Sequence, residues 1–190
     1  MTESSAIDIV YYMRLLIIPI GAIDSDVLKD ISDALEKTFH CKVEFGKEIS
    51  LPHDLYNNKR GQYHSTRILR RLHPFKTKDF HRVLGVMDAD LYVPELNFVF
   101  GEADILAGVT VIALARLRQE FYGLNPDKDL FHLRAVKEAI HEIGHTYGLG
   151  HCPDPKCIMY FSNSLKDTDK KGPGFCDICK HELNILVSED

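Results

Sequence analysis

The chain has 190 residues, of which 45% are hydrophobic and 27% charged, and its formal net charge is −5. A single domain of this length buries a substantial core without covalent staples, and the composition excludes a disordered or fibrous chain. The negative charge argues against a nucleic-acid partner, because proteins that bind phosphate backbones usually carry a basic face. The basic stretch around Arg67, Arg70 and Arg71 is interpreted as the solvated face of a helix.

The first residues give no indication of a targeting signal. Met1–Tyr12 contains the acidic Glu3 and Asp8 and lacks the basic and apolar regions of a secretory leader. The apolar run Leu15–Ile20 has the length of a strand and is too short to span a bilayer. These features predict a cytoplasmic protein with no membrane partner. In that compartment the five cysteines are expected to be thiols or metal ligands rather than disulfides.

The N-terminal part of the chain predicts a β-α-β unit. Arg14–Ile20 is a compact apolar run typical of a buried strand, and Cys41–Phe45 alternates as a second strand does. Between them, Asp24, Ser25 or Asp26 can cap a helix. The apolar residues of this helix recur at helical spacing: Val27, Ile31, Leu35 and Phe39. A helical crossover between two strands favours a parallel pair.

The following segments continue the α/β pattern. A helix is predicted over His64–His73, and three further strands over Val83–Met87, Asn97–Phe100 and Val109–Leu114. A long helix follows from Asp129. Its apolar residues near helical spacing are Leu130, Leu133, Val136, Ile140 and Ile143.

The region beyond Gly148 has no strong periodicity for about 30 residues. A loop of that length is unusual inside a compact domain unless something else holds it. We therefore predict one domain over residues 1–190, with the sheet and the active-site helix in 1–148 and a metal-stabilised region in 149–190.

The end of the long helix carries an HExxH motif, His141-Glu142-Ile143-Gly144-His145. The spacing i to i+4 places both imidazoles on one helix face, where they can bind the same metal ion. Gly148 is expected to end the helix with a positive φ and to turn the chain so that His151 supplies a third nitrogen. Three neutral imidazoles favour zinc and leave a fourth position for water, as in catalytic zinc sites.

Glu142 lies beside the first histidine and is the candidate general base. Zinc lowers the pKa of a bound water toward about 7, and Glu142 would accept the water proton and pass it to the leaving amine. The alternative to a metal site is a histidine-rich helix end whose imidazoles are solvated at the surface.

The cysteines Cys152, Cys157, Cys176 and Cys179 form two close pairs separated by a loop of 18 residues, 158–175. This spacing suits a closed, four-thiolate structural zinc site, which would bring the chain to two zinc ions. Two disulfides, free thiols, or a site in which His181 replaces one cysteine remain alternatives. Cys41 stands apart and is interpreted as a small buried hydrophobe.

These residues resemble a known family. The motif HExxHxxGxxH with the downstream Met159 is similar to that of the metzincin clan of zinc peptidases, in which a Met-turn lies beneath the catalytic zinc. The run HEIGHTYGLGHC, the later Cys157-Ile158-Met159 and the pair Cys176-x-x-Cys179 resemble the archaemetzincins, as does the stretch DADLYVPELNFVFG over residues 88–101. The loop of 16 residues between Met159 and Cys176, 160–175, is one residue shorter than the family spacing. A loop absorbs that difference at little energetic cost.

The resemblance implies an α/β metzincin-like fold, in which a mixed twisted sheet packs on long helices beside a C-terminal zinc-stabilised loop region. It implies that the four cysteines bind the second, structural zinc and that the substrate is a peptide or protein. An edge strand would border the cleft, and Asn97–Phe100 is the candidate, where a peptide could add as a further strand.

Two other functions compete with a peptidase. One is a zinc-stabilised peptide-binding module that is catalytically weak or inactive, against which the intact Glu142 argues. The other is a zinc hydrolase of non-peptide amides or esters, which would activate water in the same way. Tyr147 and Tyr160 are interpreted as packing aromatics rather than as catalytic donors.

Overall fold

The centre of the computed structural model, which describes residues 13–189, is a mixed β-sheet with helices on both faces. The strands are β1 (Arg14–Ile20), β2 (Lys42–Phe45), β3 (Tyr56–Asn57), β4 (Gln62–His64), β5 (Arg82–Met87), β6 (Leu91–Tyr92), β7 (Gly101–Asp104) and β8 (Val109–Ala113). The helices are α1 (Ser25–Phe39), α2 (Ser65–Leu72), α3 (Lys128–Thr146), α4 (Leu165–Lys170) and α5 (Asp177–Glu189). The expectation about Met1–Tyr12 lies outside the described residues.

The predicted β-α-β opening is confirmed. β1 and β2 pair in parallel, with Leu15 opposite Val43. The side chain of Asp24 caps α1 by accepting a hydrogen bond from the backbone N–H of Asp26, so the first of the three proposed caps is the one used. The predicted apolar stripe of α1, Val27, Ile31, Leu35 and Phe39, is buried.

The main sheet has the order β2-β1-β5-β8-β7, with β7 antiparallel to β8 and the other pairs parallel. Successive side chains of a strand point to opposite faces, so each central strand feeds two cores. Leu15 and Ile17 of β1 belong to the core beneath α1 and α3, whereas Leu16 and Ile18 belong to the core beneath α2. A small sheet of order β3-β4-β6 adjoins the second core.

The predicted strand Asn97–Phe100 is wrong. Val99 makes a single antiparallel bridge to Leu91, and the edge strand of the main sheet is β7, which begins one residue later. The apolar character of this segment reflects packing instead of pairing, since the rings of Phe98 and Phe100 contact each other with centroids 5.1 Å apart.

The predicted apolar face of α3 is correct only near the C-terminal end of the helix. Ile140 and Ile143 are buried, but Leu133 is 42% exposed. In its place the buried face of α3 contains charged side chains, Arg134, Lys137 and Glu138. They are tolerated because the segment after residue 164 supplies partners for all three.

The chain beyond α3 forms two helices that sequence periodicity did not reveal, α4 and α5. Ser164 caps α4 through a hydrogen bond from the backbone N–H of Asp167. Leu183 of α5 is buried in the core beneath α3. Within residues 13–189, no helix combines the length and the apolar character needed to cross a membrane.

The fold predicts a sharp contrast between two leucines. Leu84 of β5 is fully buried at the centre of the sheet, whereas Leu124 is 60% exposed. Leu84→Ala should lower the free energy of unfolding by about 2–5 kcal/mol, because it removes core contacts and leaves a cavity. Leu124→Ala should change it by less than about 0.5 kcal/mol. Chemical denaturation of both variants measures the difference, and equal effects would contradict the burial of Leu84 in the core.

Candidate metal centre and cleft

Three imidazoles converge at the end of α3. His141 and His145 lie one turn apart, and their Nε2 atoms are 3.1 Å from each other. The helix ends at Thr146, Gly148 follows with a φ of 89°, and the reversed chain returns His151 to the same place. The ring of His151 lies 5.4 Å from that of His141 and 4.8 Å from that of His145. The predicted role of Gly148 in this turn is confirmed by its φ.

The backbone orients two of these rings. Nδ1 of His141 lies 2.9 Å from the carbonyl oxygen of Ile158, and Nδ1 of His145 lies 2.7 Å from that of Leu149. A carbonyl oxygen can only accept, so each Nδ1 carries the proton and donates it. The lone pair of each ring is therefore on Nε2, which faces the other imidazoles.

The site suits a zinc ion. One ligand atom from each histidine lies within 4.8 Å of those of the other two. Burial lowers the pKa of all three imidazoles, and the charge of Lys171 lowers it further. Neutral imidazoles with oriented lone pairs are among the ligands that zinc binds well, so the donor set fits this metal.

Glu142 is held beside the imidazoles by the edge of the sheet. It is 4% exposed, and a Cβ at residue 101 would lie 2.5 Å from its Cγ, so only glycine at 101 leaves room for this side chain. Burial and the neighbouring carboxylate of Glu138 raise the pKa of Glu142. Its Oε2 atom receives no hydrogen bond from the described residues. A cation at the three imidazoles would lower this pKa again and give the carboxylate a partner.

The cleft next to these residues is a cavity of about 480 Å³. One wall is β7 and the loop before it, 93–100, and the other is α3 with residues 161–163. The apolar lining includes Leu96, Phe98, Ile105 and Phe161. Charged side chains, including those of Glu102, Glu138 and Lys171, line the same cavity.

The loop that forms the first wall is anchored by Asp90. Its carboxylate accepts two hydrogen bonds from Arg116, at 2.6 and 2.7 Å, and one from Gln62 at 3.1 Å. The Arg116 guanidinium lies over the ring of Phe98, 4.3 Å from its centroid. The stretch over residues 88–101, which carries part of the family resemblance, thus supports the cleft wall.

The four cysteines of the C-terminal region also converge. Their sulfur atoms lie within 4.8 Å of one another, and those of Cys152 and Cys176 are 3.8 Å apart, well beyond a disulfide bond length. All five cysteines are free thiols. Among the described residues this group contains only sulfur ligands, and His181 is exposed outside it. Cys41 is buried elsewhere, where burial first and Glu36 second raise the pKa of its thiol to about 11.

Met159 lies against the face of α3 between the first two histidines. It is fully buried, and a Cβ at residue 144 would lie 2.7 Å from its sulfur atom. A larger residue at 144 would therefore displace the buried side chain of Met159. The backbone N–H of Cys152 donates to the carbonyl oxygen of Met159 at 2.9 Å, which ties this turn to the cysteine group.

Tyr147 packs into the core, as predicted. Its ring stacks on that of Phe39, with centroids 5.3 Å apart and an interplanar angle of 13°.

Sequence reasoning missed three residues of the site: Gly101, Glu138 and Lys171. Glu138 could have been found, because it precedes Glu142 by one helical turn on the same face. Lys171 gave no local signal, since it follows a polar stretch with no periodicity.

A mixed sheet, three imidazoles that converge at the end of a helix and a buried carboxylate beside them are the features of a zinc-dependent peptidase. Comparison with known proteins agrees with this class. The model of peptidase family M54 matches residues 17–185. An archaemetzincin of Methanocaldococcus jannaschii is 45% identical over 174 residues, 92% of this chain and 94% of the relative. One of Pyrococcus furiosus is 42% identical over 176 residues, 89% of this chain and 91% of the relative.

Solved structures agree. The crystal structure of an archaemetzincin from Methanopyrus kandleri superimposes with a TM-score of 0.83 at 36% identity, covering 96% of this chain and 99% of the other. A zinc-dependent peptidase from Methanocorpusculum labreanum gives a TM-score of 0.82 at 31% identity, covering 90% of this chain and 100% of the other. The chain belongs to peptidase family M54, the family of these archaemetzincins.

The close contact between Gly144 and Met159 predicts the effect of adding one methyl group. Gly144→Ala should destabilise the protein by about 1–3 kcal/mol, because its Cβ overlaps the buried sulfur of Met159. Gly150→Ala is the matched control, since a Cβ there meets nothing within 4 Å. Thermal unfolding of the two variants measures the difference, and an unperturbed Gly144→Ala protein would show that Met159 does not press on α3.

Proposed function

We propose that this protein is a cytoplasmic, metzincin-type peptidase that hydrolyses peptide bonds at a zinc ion bound by His141, His145 and His151. The proposal rests on one observation: the three imidazoles converge next to the buried carboxylate of Glu142, at the floor of a cleft. Three protein ligands leave room for water and substrate, whereas a closed structural site does not.

A bound zinc ion would activate water and polarise the scissile carbonyl. Glu142 is the only carboxylate of the HExxH motif, and its buried position against Gly101 aims it into the cleft beside the imidazoles. In the proposed reaction its carboxylate accepts the proton of the attacking water. The same group then donates that proton to the leaving amine as the C–N bond breaks.

The substrate class follows from the walls of the cleft. β7 pairs with β8 along one edge and borders the cleft, so an extended peptide can add along its other edge through backbone hydrogen bonds. This role was expected of Asn97–Phe100 and passes to β7. The apolar lining from Leu96, Phe98 and Phe161 would hold a substrate side chain.

A zinc-stabilised module that binds peptides without cleaving them would use the same cleft. Within residues 13–189 the Oε2 atom of the buried Glu142 carboxylate has no hydrogen-bond partner. Such burial costs free energy, and a module that only binds peptides has no use for it. This argues for the enzyme over the module.

Glu142→Gln separates the two functions. The amide has nearly the same shape but cannot accept the water proton, so zinc content should be unchanged and turnover should fall by at least about 100-fold. The measurement is a peptide-library digest read by mass spectrometry, with wild type, variant, and wild type treated with a chelator. Cleavage by the variant at the wild-type rate, or chelator-resistant cleavage, would overturn the proposed mechanism.

We also propose that Cys152, Cys157, Cys176 and Cys179 bind a second, structural zinc that stabilises the region 149–190. The argument is the approach of four thiols without a disulfide, beside a turn that also orients His141 through Ile158. Four thiolates leave no open position, so this ion has no catalytic role.

Elemental analysis tests this second site. Wild type should contain two zinc ions per chain, and Cys176→Ser should lose one of them together with several kcal/mol of stability, since metal binding free energy is folding free energy. Cys41→Ala, which removes the thiol outside the group, should keep both ions. A wild-type protein with a single zinc would refute the structural site.

A further inference from the structure

A buried ion pair lies in the wall of the cleft, outside the HExxH motif. Lys171 is 1% exposed and Glu138 is 4% exposed, and Nζ of the lysine lies 3.3 Å from Oε2 of the glutamate. Burying two charges is costly, and an apolar pair of the same size often serves stability better. The position of this pair therefore requires a reason other than packing.

The pair lies directly beside the proposed general base. Glu138 precedes Glu142 by one turn of α3, so the two side chains project from the same face of the helix. Both line the cavity together with His141 and Lys171. Two carboxylates in a buried site repel each other, and a positive charge beside them offsets that repulsion. Lys171 supplies that charge.

The positive charge of Lys171 also reaches the imidazoles. Lys171 lines the same cavity as His141, His145 and His151, so its charge lies near the place where these rings would bind a cation. A lysine in this position works against the binding of a divalent cation. A residue that only stabilised the metal site would carry the opposite charge.

Lys171 reaches the cleft because the C-terminal region is docked on α3. Arg134 binds the carboxylate of Asp169 through two hydrogen bonds, of 2.7 and 2.8 Å. The Lys137 ammonium donates to the carbonyl oxygen of Thr168 at 3.1 Å. The backbone N–H of Gly172 donates to the carbonyl oxygen of Lys156, at 2.8 Å, within the cysteine-bearing loop. Lys137 binds the segment that contains Lys171, but the side chain of Lys137 does not line the cleft.

We propose that Lys171 is a positioning residue of the peptidase, whose ammonium neutralises Glu138 and thereby holds the Glu142 carboxylate in the cleft beside the metal ligands. This inference rests on the proposed function of that site. It assigns to the C-terminal region a direct contribution to the active site in addition to its own metal binding. The positioning comes at the expense of metal affinity.

The test compares Lys171→Met with Lys137→Met in the zinc-loaded protein. Lys171→Met should lower kcat about 10- to 100-fold with KM within about twofold, because it disturbs the base and not the peptide-binding edge. It should also tighten zinc binding at the histidines about tenfold, because it removes a nearby positive charge. Lys171→Arg should restore most of kcat. Lys137→Met should lower stability but leave kcat and zinc affinity unchanged.

Zinc affinity is measured by competition with a chromophoric chelator, and the ion bound by the histidines is identified by its loss in His151→Ala. The double variant Lys171→Met/Glu138→Gln removes both charges, so neither charge is left buried without its partner. The test can therefore still be made with this variant if Lys171→Met does not fold. It should recover at least about tenfold of the kcat lost in Lys171→Met, since Glu142 no longer faces a neighbouring charge.

The outcomes separate the two proposals. Weaker or unchanged zinc binding in Lys171→Met, a kcat equal to that of Lys137→Met, or a double variant as slow as Lys171→Met would each show that Lys171 is a structural residue only. A wild-type protein without chelator-sensitive cleavage would refute the proposed peptidase, and with it the positioning role. In that case tightened zinc binding in Lys171→Met would still place the charge beside the imidazoles.

Discussion

The structure of the site depends on one constraint: two imidazoles at the end of α3 must present Nε2 to the same point. Rotation of each ring is limited by a hydrogen bond from Nδ1 to a backbone carbonyl, of Ile158 for His141 and of Leu149 for His145. Both carbonyls belong to the chain after the helix. The turn at Gly148 is therefore needed to orient the rings of the helix as well as to return His151.

The same turn links the histidine site to the cysteine group. His151 and Cys152 are consecutive residues whose side chains belong to two different groups that could each hold a metal ion. Met159 packs on Gly144 of α3, and its carbonyl oxygen accepts the N–H of Cys152. A displacement of the cysteines would thus move the carbonyl of Ile158 and with it the ring of His141. This explains why a region with little apolar periodicity is held so close to the site.

How much the sequence predicts depends on whether the signal is local. The approach of the two HExxH imidazoles on one face of α3, a helix cap within Asp24–Asp26 and the apolar stripe of α1 depend on neighbouring residues, and the structure agrees with each of them. β7 could not be predicted, because Gly101–Asp104 lacks strand-forming residues and pairs only because β8 lies beside it. Leu133 was assigned to the core on spacing alone, although its face of α3 is exposed. Lys171 reaches the site only because its segment docks on α3, and no local sequence pattern encodes that docking.

The proposed base is restrained from two sides that belong to different parts of the fold. From the sheet, the backbone at Gly101 leaves room for the side chain of Glu142 and no more. From the C-terminal region, the ammonium of Lys171 compensates the charge of Glu138. Without it, Glu138 would repel the carboxylate of Glu142. A peptide that adds to the edge of β7 contacts the strand that contains Gly101. In the proposed reaction, substrate binding therefore acts on the same backbone that restrains the catalytic carboxylate, so the edge strand serves recognition and chemistry together.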